Sequence, residues 1–285
     1  MLLPRFYKDT SIGKSPKMFI DVHCHITAEE FNEDRDAVLT KAKEDAVTAI
    51  LAVSESVADF KEILDLSAKY PGFIFPCLGL HPVQKDGEES RSVTEKELNE
   101  AVPIIEQYAD CLFAIGEVGL DFTPRFVKSS DDKEVQRTVL RRQIELAKKY
   151  DLPLNVHSRS AGKPTIQLLK ENGVTKAVLH AFDGRPAAAM EGVQCGYFFS
   201  IPPSIARSNQ KSKLVERVPL ENMLLETDSP ALGPEKQVRN TPSNIRISCE
   251  YIASVKKVDV DTVKRITTEN ALKLFPKLRK FIKVV

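Results

Sequence analysis

Short apolar runs alternate eight times with helix-like segments along this chain of 285 residues. The runs are apolar throughout, as from Val47 to Val53, which is typical of parallel strands buried on both faces. The segments between them place apolar residues three or four positions apart, as Val57, Phe60, Leu64 and Ala68 do. The pattern predicts an α/β fold whose simplest closed form is a single (β/α)8 TIM barrel, with a doubly wound open sheet as the alternative.

We predict that the chain consists of an N-terminal extension and one barrel domain. Residues 1–17 carry four basic residues, one acid and two prolines without an apolar signal core, so we expect them to be disordered. A mitochondrial presequence and an alternative start near Met18 are the other interpretations. Residues 18–285 contain no internal repeat, low-complexity segment or linker, and we assign them to the barrel domain.

Composition is that of an ordinary soluble protein, with 42% hydrophobic and 28% charged residues. A net charge of +1 argues against a general coat for duplex DNA or an anionic membrane, although it allows a local basic patch. No apolar run approaches the ~20 residues of a membrane span. The five cysteines are spread without a CxxC pair, so we expect reduced core thiols in a cytoplasmic protein, with the nucleus as a second location.

All five histidines stand at the end of a strand-like run. His23 and His25 end the first run and, because side chains alternate along a strand, point the same way. His81, His157 and His180 follow the third, fifth and sixth runs. In a barrel the loops after the strands meet at one mouth, so we expect the five side chains to lie close together.

Two carboxylates occupy the same position, Glu117 after the fourth run (Leu112 to Ile115) and Asp228 after the eighth. Imidazoles with carboxylates suit Zn²⁺, Mn²⁺, Fe²⁺, Co²⁺ or Mg²⁺. Four histidines and two carboxylates exceed the needs of one ion, which indicates two divalent ions that share a bridging carboxylate. Glu117 is the best bridge because Gly116 and Gly119 let the backbone approach closely. The predicted ligands are His23, His25, Glu117, His157, His180 and Asp228.

The charge of such a centre indicates its substrate. Two divalent cations outweigh two carboxylates, so the site favours an anion such as a phosphodiester. We expect Asp228 to act as general base and Arg159 to contact phosphate. His81 is not among the six predicted metal ligands. We therefore expect it to contact phosphate as well, with a structural role as the alternative.

Basic residues in the loops after the fourth to eighth strands predict an electropositive mouth, with ordinary solubilising charge as the alternative. They are Arg125, Lys128, Arg159, Lys163, Arg185, Arg207, Lys236 and Arg239.

Four other residues near the predicted mouth each allow two interpretations. Phe122 and Phe126 could stack on a base or fix their loop to the barrel. Asp121 could orient a ligand histidine or cap the next turn. Glu226, on the same strand face as Asp228, could support the ligands or belong to a buried ion pair.

Six motifs, in order, resemble the TatD family of metal-dependent deoxyribonucleases. They are Asp21-Val22-His23-Cys24-His25, Gly79-Leu80-His81-Pro82, Ile115-Gly116-Glu117-Val118-Gly119-Leu120-Asp121, Asn155-Val156-His157-Ser158-Arg159, His180-Ala181-Phe182-Asp183-Gly184 and Leu225-Glu226-Thr227-Asp228-Ser229-Pro230. The similarity extends from about Phe19 to Leu278, and the runs 196–204 and 231–240 resemble one animal branch of the family.

The resemblance implies a TIM barrel of the metal-dependent hydrolase type and a deoxyribonuclease with two Mg, Mn or Zn ions per subunit. It implies 3′-to-5′ exonuclease action, abasic-site endonuclease action as a further activity, and a role in DNA repair or degradation. Carried over by position, one ion would be held by His23, His25, Glu117 and Asp228, and the other by Glu117, His157 and His180. We expect DNA as partner, as single strands or strand ends, no membrane, and a monomer.

Two other functions compete with this one. A binuclear amidohydrolase acting on an amide, lactone or cyclic imide often bridges its metals with a modified lysine, and here Glu117 has no lysine beside it. A metal-stabilised binding module would keep its function after substitution of Asp228.

Overall fold

Eight parallel strands form one sheet in which spatial order follows chain order, which confirms the predicted (β/α)8 TIM barrel. The computed structural model describes residues 18–87 and 89–282, so residues 1–17, predicted to be a disordered extension, lie outside the described residues. The strands are β1 (Phe19–Cys24), β2 (Val47–Val53), β3 (Ile74–Leu78), β4 (Val83–Asp86), β5 (Glu89–Ser92), β6 (Ala114–Gly119), β7 (Leu154–His157), β8 (Ala177–Leu179), β9 (Phe198–Ile201) and β10 (Met223–Leu225). Strands β4 and β5 form a separate hairpin, and the others form the barrel.

Helices connect the strands and cover the outside of the barrel. They are α1 (Arg35–Glu44), α2 (Val57–Lys69), α3 (Glu95–Tyr108), α4 (Ser130–Lys149), α5 (Gly162–Glu171), α6 (Pro186–Gln194), α7 (Asn209–Arg217), α8 (Ile245–Lys256) and α9 (Val260–Leu274). A capping box precedes α3, since Thr94 accepts the Glu97 N–H (3.4 Å) and Glu97 accepts the Thr94 N–H (2.8 Å). None of the helices in the described ranges has the length and apolar character that crossing a bilayer requires.

The structure departs from the predicted elements at two places near the mouth. Strand β6 continues to Gly119 instead of ending at Ile115, so Glu117 lies within the strand. Glycines at 116 and 119 disfavour a strand locally, which is why the sequence pattern ended it early. The hairpin β4–β5 was not predicted, because its polar residues show no apolar alternation.

The first and last strands close the barrel through few backbone contacts. At the mouth, the Asp228 N–H donates to the His23 carbonyl oxygen at 2.9 Å. Within β1, the buried Asp21 carboxylate accepts both the Thr227 N–H (2.9 Å) and the Thr227 hydroxyl (2.6 Å). A side chain therefore substitutes for ladder hydrogen bonds where the two ends of the sheet meet.

An apolar cluster fills the barrel toward the N-terminal ends of the strands, where Phe75 of β3 and Phe198 of β9 lie. The segment after α9 crosses this end and buries Phe275 and Leu278 in the same cluster. The ring of Phe281 packs 5.3 Å from that of Phe75. We call this set the floor cluster: Ile20, Val22, Ala49, Leu51, Val53, Phe75, Cys77, Phe113, Ala114, Val178, Phe198, Leu224, Ala271, Leu272, Leu274, Phe275, Leu278 and Ile282.

The cysteines follow the prediction only in part. Cys24, Cys77 and Cys249 are buried free thiols, as expected. Cys111 is exposed and Cys195 is partly exposed, so the prediction that all five are core thiols was wrong. Both lie close to the end of a helix, where the turn into the next strand leaves side chains in contact with water.

Candidate metal centre

The ends of the barrel strands bring the six predicted ligands into one buried cluster. His23 is in β1, Glu117 is in β6, and His157 is the last residue of β7. His180 directly follows β8, and Asp228 follows β10 by three residues. These positions are up to 205 residues apart in the chain, and parallel strands in a closed barrel bring them to the same mouth.

Glu117 lies at the centre of this cluster, and its two carboxylate oxygens face different histidines. Oε2 is 3.4 Å from His23 Nε2 and 3.3 Å from His25 Nε2. Oε1 is 2.8 Å from both His157 Nδ1 and His180 Nε2. Each carboxylate oxygen therefore lies near its own pair of histidine nitrogens.

Asp228 adds a second carboxylate on the side of His23 and His25. Its Oδ1 is 3.5 Å from His23 Nε2 and 3.3 Å from His25 Nε2. Asp228 has a backbone φ of +55°, a left-handed conformation that is uncommon outside Gly, Asn and Asp. Such backbone positions often occur at functional sites.

Three groups in the described chain have ligand atoms within 4.8 Å of one another and could hold an ion. They are His23–His25–Glu117, His23–His180–Asp228 and His81–Glu117–His157. The third group includes His81, whose Nε2 is 3.6 Å from Glu117 Oε1. The predicted phosphate contact thus lies close enough to the ligands to be one itself.

Backbone atoms fix the ring of His81. Its Nδ1 is 3.0 Å from the Val83 nitrogen and 2.9 Å from the Val83 carbonyl oxygen. This leaves Nε2 directed toward Glu117. The role of His81 as a phosphate contact remains a prediction.

Two polar side chains orient the rings of ligand histidines. His157 Nε2 lies 3.1 Å from Asp121 Oδ2, as the orienting interpretation of Asp121 requires. His23 Nδ1 lies 2.8 Å from Asn155 Oδ1, while Asn155 Nδ2 donates to the Val22 carbonyl oxygen at 2.7 Å. The role of Asn155 was not predicted, although a lone amide inside an apolar strand is a signal that could have indicated it.

The backbone approaches closely where Glu117 enters the cluster, as predicted. A Cβ on Gly119, whose φ is +151°, would lie 2.0 Å from the His157 carbonyl oxygen. A Cβ on Gly116 would lie 2.5 Å from Asn155 Cβ. Glycine at both positions therefore allows β6 and β7 to pack with Glu117 between the histidines.

The cluster is electrostatically suited to a cation. Burial alone would lower the pKa of His25, but hydrogen bonds to the carboxylates of Asp228 and Glu117 outweigh it and raise that pKa to about 10. Burial alone would likewise raise the pKa of Glu117, but the charges of His180, His81 and His23 hold it well below its usual range. Without a metal, the site must bind protons to keep its carboxylates and imidazoles together.

Glu226 lies under the loop that carries His180. One carboxylate oxygen accepts the Ala181 N–H (2.8 Å), and the other accepts the Ser200 hydroxyl (2.5 Å). Complete burial raises the pKa of Glu226 to about 8. Of its two interpretations, the geometry favours support of the His180 loop.

The mouth above the cluster is a cavity of about 510 Å³ whose lining contains both acidic and basic side chains. Glu29, Glu30 and Glu55 are the acidic ones outside the cluster, and Lys85 and Arg159 also line the cavity. The prediction of an electropositive mouth did not count the loops after β1 and β2, which contribute the acidic residues of this lining. Arg239, another residue of the predicted rim, forms an ion pair with Asp34 at 2.6 Å.

The two phenylalanines after β6 lie against cationic side chains. Lys133 and Arg137 of α4 lie 5.3 Å and 5.1 Å from the centre of the Phe122 ring. Phe126 lines a separate surface cavity together with Arg91 and Lys128. For Phe122, this arrangement favours fixing of the loop to the barrel.

Comparison with known proteins identifies relatives of the whole barrel. Residues 20–276 match the family model described as TatD related DNase. The chain is 62% identical over 261 residues to human deoxyribonuclease TATDN3, covering 91% of this chain and 95% of that protein. It is 32% identical over 265 residues to the uncharacterized metal-dependent hydrolase YabD of Bacillus subtilis, covering 90% and 99%. The crystal structure of YJJV, a TatD homolog from Escherichia coli, matches with a TM-score of 0.79 and 28% identity, covering 90% and 98%.

The matches span nearly the full lengths of these relatives, and YJJV shares the fold described above. The predicted resemblance is thereby confirmed. The chain is a hydrolase and belongs to the TatD related DNase family.

Proposed function

We propose that this protein is a divalent-metal-dependent deoxyribonuclease that hydrolyses DNA phosphodiester bonds at a binuclear centre. The observation that carries the proposal is the position of Glu117, whose two oxygens each face a separate pair of histidine nitrogens. A carboxylate in this arrangement can bridge two ions. The name of the human relative, a deoxyribonuclease, supports DNA as the substrate.

The donor set fits two divalent ions. His23, His25, Glu117 and Asp228 would hold one, and Glu117, His157 and His180 the other. The nearest alternative, in which His81 joins the second group, uses the same bridging carboxylate. Imidazole and carboxylate donors accept Mg, Mn or Zn, and the described cluster contains no thiolate that would favour zinc alone.

Bound divalent ions would neutralise the phosphate and lower the pKa of the attacking water. The side chains supply the remaining chemistry. Asp228 would accept a proton from the attacking water, because its carboxylate points into the cluster and hydrogen bonds from His23 and His25 keep it ionised, with a low pKa despite burial. Arg159 lines the mouth and donates to a phosphate oxygen, which orients the substrate.

The finer features of this activity belong to the same proposal. We propose 3′-to-5′ exonuclease action with abasic-site endonuclease action as a further activity, on single strands or strand ends, by a monomer in the cytoplasm or nucleus that acts in DNA repair or degradation. The acidic residues Glu29, Glu30 and Glu55 support a small footprint, since they would repel a duplex lying across the whole mouth.

A nuclease assay on metal-stripped protein tests the proposal. Single-stranded oligonucleotides labelled at either end, and a duplex with one abasic site, would be incubated after Mg²⁺, Mn²⁺ or Zn²⁺ is added back. Metal-dependent shortening from the 3′ end that is lost in Asp228→Asn, but kept in the surface control Asp65→Asn, is the expected result. Folded protein that cleaves none of these substrates with any metal would instead favour hydrolysis of a small amide, lactone or cyclic imide.

A further inference from the structure

A second, smaller cavity of about 170 Å³ adjoins the metal-ligand cluster. It is bounded by the loops after β7 and β8 and by α7, and its lining includes Ser158, Arg159 and Lys211. His157 and His180 line both cavities, so the smaller one lies directly beside the ligands. Its volume equals that of about six liquid waters.

Lys211 enters this cavity from α7, and only 9% of its surface is exposed. Its ammonium donates one hydrogen bond, to the Ala181 carbonyl oxygen at 2.8 Å. Among the described residues, no carboxylate oxygen lies within the 4.0 Å of an ion pair with Lys211 Nζ. A buried ammonium has three donors, so two of them remain available to a ligand.

Ser158 provides an independent observation in the same cavity. The residue is 2% exposed, and its hydroxyl has no hydrogen-bond partner within the described chain. Buried hydroxyls normally have a partner, and an unsatisfied one calls for an explanation. An acceptor bound in this cavity would supply that partner.

The donors around this cavity suit a phosphate group. Lys211 contributes an ammonium, Arg159 an exposed guanidinium that reaches both cavities, and Ser158 a hydroxyl. Charge-assisted hydrogen bonds of this kind are the strong contacts in phosphate recognition. Asp183 also lines the cavity, but it is exposed, so water and salt screen its charge.

We infer that this cavity binds the phosphate next to the cleaved linkage of a DNA strand, with Lys211 and Ser158 as specificity-determining residues. The inference rests on the proposed function, which places the cleaved phosphodiester at the metal-ligand cluster. It explains how the enzyme would hold the register of a single strand with few contacts. A substrate without a neighbouring charged phosphate would gain nothing from Lys211.

The test is a double-mutant cycle on the full-length, metal-loaded enzyme. Two oligonucleotides differ only in the linkage next to the cleaved bond, which is a phosphodiester in one and an uncharged methylphosphonate in the other. In the wild type, the neutral linkage should lower kcat/KM by about tenfold to hundredfold, the range expected for hydrogen bonds to a charged group. Lys211→Met and Ser158→Ala should lower kcat/KM on the normal strand and make the two substrates more nearly equal.

Several controls separate this role from a structural one. Lys213→Met removes an exposed lysine from the same helix and should behave as the wild type does. Lys211→Arg should restore discrimination between the substrates, and metal content should be equal in all variants. Equal cleavage of both substrates by the wild type, or unchanged discrimination in both Lys211→Met and Ser158→Ala, would overturn the inference. A wild type that cleaves neither oligonucleotide would instead refute the proposed function.

Discussion

The two ends of the barrel are built from the same strands but from opposite kinds of residue. At the floor, Phe75, Phe198 and the C-terminal Phe275 pack in an apolar cluster. At the mouth, His23, Glu117 and their neighbours are buried just as deeply but are polar or charged. Apolar burial stabilises the fold, whereas the mouth buries groups that need protons or a cation to remain together. Stability and chemistry are therefore located at different ends of one sheet.

The largest expected effect is at the mouth, from Asp228→Asn. Asparagine tolerates the left-handed φ of +55°, so the variant should fold, while it loses the proposed general base and one charge of the proposed ligand set. We expect kcat/KM for DNA cleavage to fall by about 10²- to 10⁴-fold, with a Tm close to that of the wild type. Kinetics and thermal unfolding by circular dichroism measure both. A variant that lost its fold together with its activity would break the separation between the two ends.

The reciprocal change at the floor is Phe275→Ala, which removes a fully buried ring where the C-terminal segment crosses the barrel. We expect the free energy of unfolding to fall by about 3–5 kcal/mol, with activity per folded molecule retained. Phe281→Ala is the matched control. That residue is 52% exposed, so its removal should lower the free energy of unfolding much less. Denaturant titration measures the difference, and equal losses from the two variants would contradict the assignment of Phe275 to the floor.

A smaller effect should follow from Asn155→Ala, which removes the acceptor that holds the Nδ1 side of the His23 ring. Loss of a residue that orients a ligand typically weakens metal binding about 10- to 100-fold. Asn155→Asp keeps an acceptor and should bind metal more tightly than the alanine variant. Competition with a metal chelator measures the affinities, and identical values for the two variants would assign Asn155 to packing alone.

The smallest effect concerns the pH dependence of the metal-free protein. The pKa of His25 rises from 6.5 to about 10 on folding. The contribution of His25 to the free energy of unfolding is therefore fully present below pH 6.5 and is lost as pH rises through about 10. Glu226, with a pKa raised to about 8, acts in the same direction up to that pH. A decrease of about 2 kcal/mol in the free energy of unfolding between pH 6.5 and 9 would lower Tm by roughly 4–8 °C.

The metal-loaded protein is the control for this series, since a metal replaces the protons and should flatten the pH dependence. If Tm fell with pH in the same way for the metal-free and metal-loaded forms, His25 and Glu226 would not be the groups that bind these protons.

The sequence was sufficient for the barrel and for the positions of the ligands, because both follow from local patterns. Apolar runs of strand length, such as Val47–Val53, are visible without any knowledge of tertiary contacts. The rule that strand ends meet at one mouth then places His23, Glu117 and Asp228 together. The bounds of β2 agree with the run Val47–Val53.

Features that depend on distant contacts could not be predicted in this way. Asn155 contacts His23 across 132 positions in the chain, so its orienting role has no local signal beyond its polarity. Lys211 looks like any polar residue of an amphipathic helix until the structure shows it buried beside Ser158. The acidic residues of the mouth were overlooked because charge was counted loop by loop and not around a cavity.

Closure of the barrel between β1 and β10 has a consequence for how the centre forms during synthesis. His23 and Asp228 are joined by a backbone hydrogen bond although 205 positions separate them, so the centre cannot assemble on a partly synthesised chain. Contacts of such high sequence separation are slow to form, because the entropy cost of closing the intervening chain comes first. Any ion held between these residues would therefore select chains whose two ends have already met. Uptake of the ion proposed for His23, His25, Glu117 and Asp228 would thus report completion of the barrel, and a chain truncated before β10 would lack the carboxylate of Asp228 at that position.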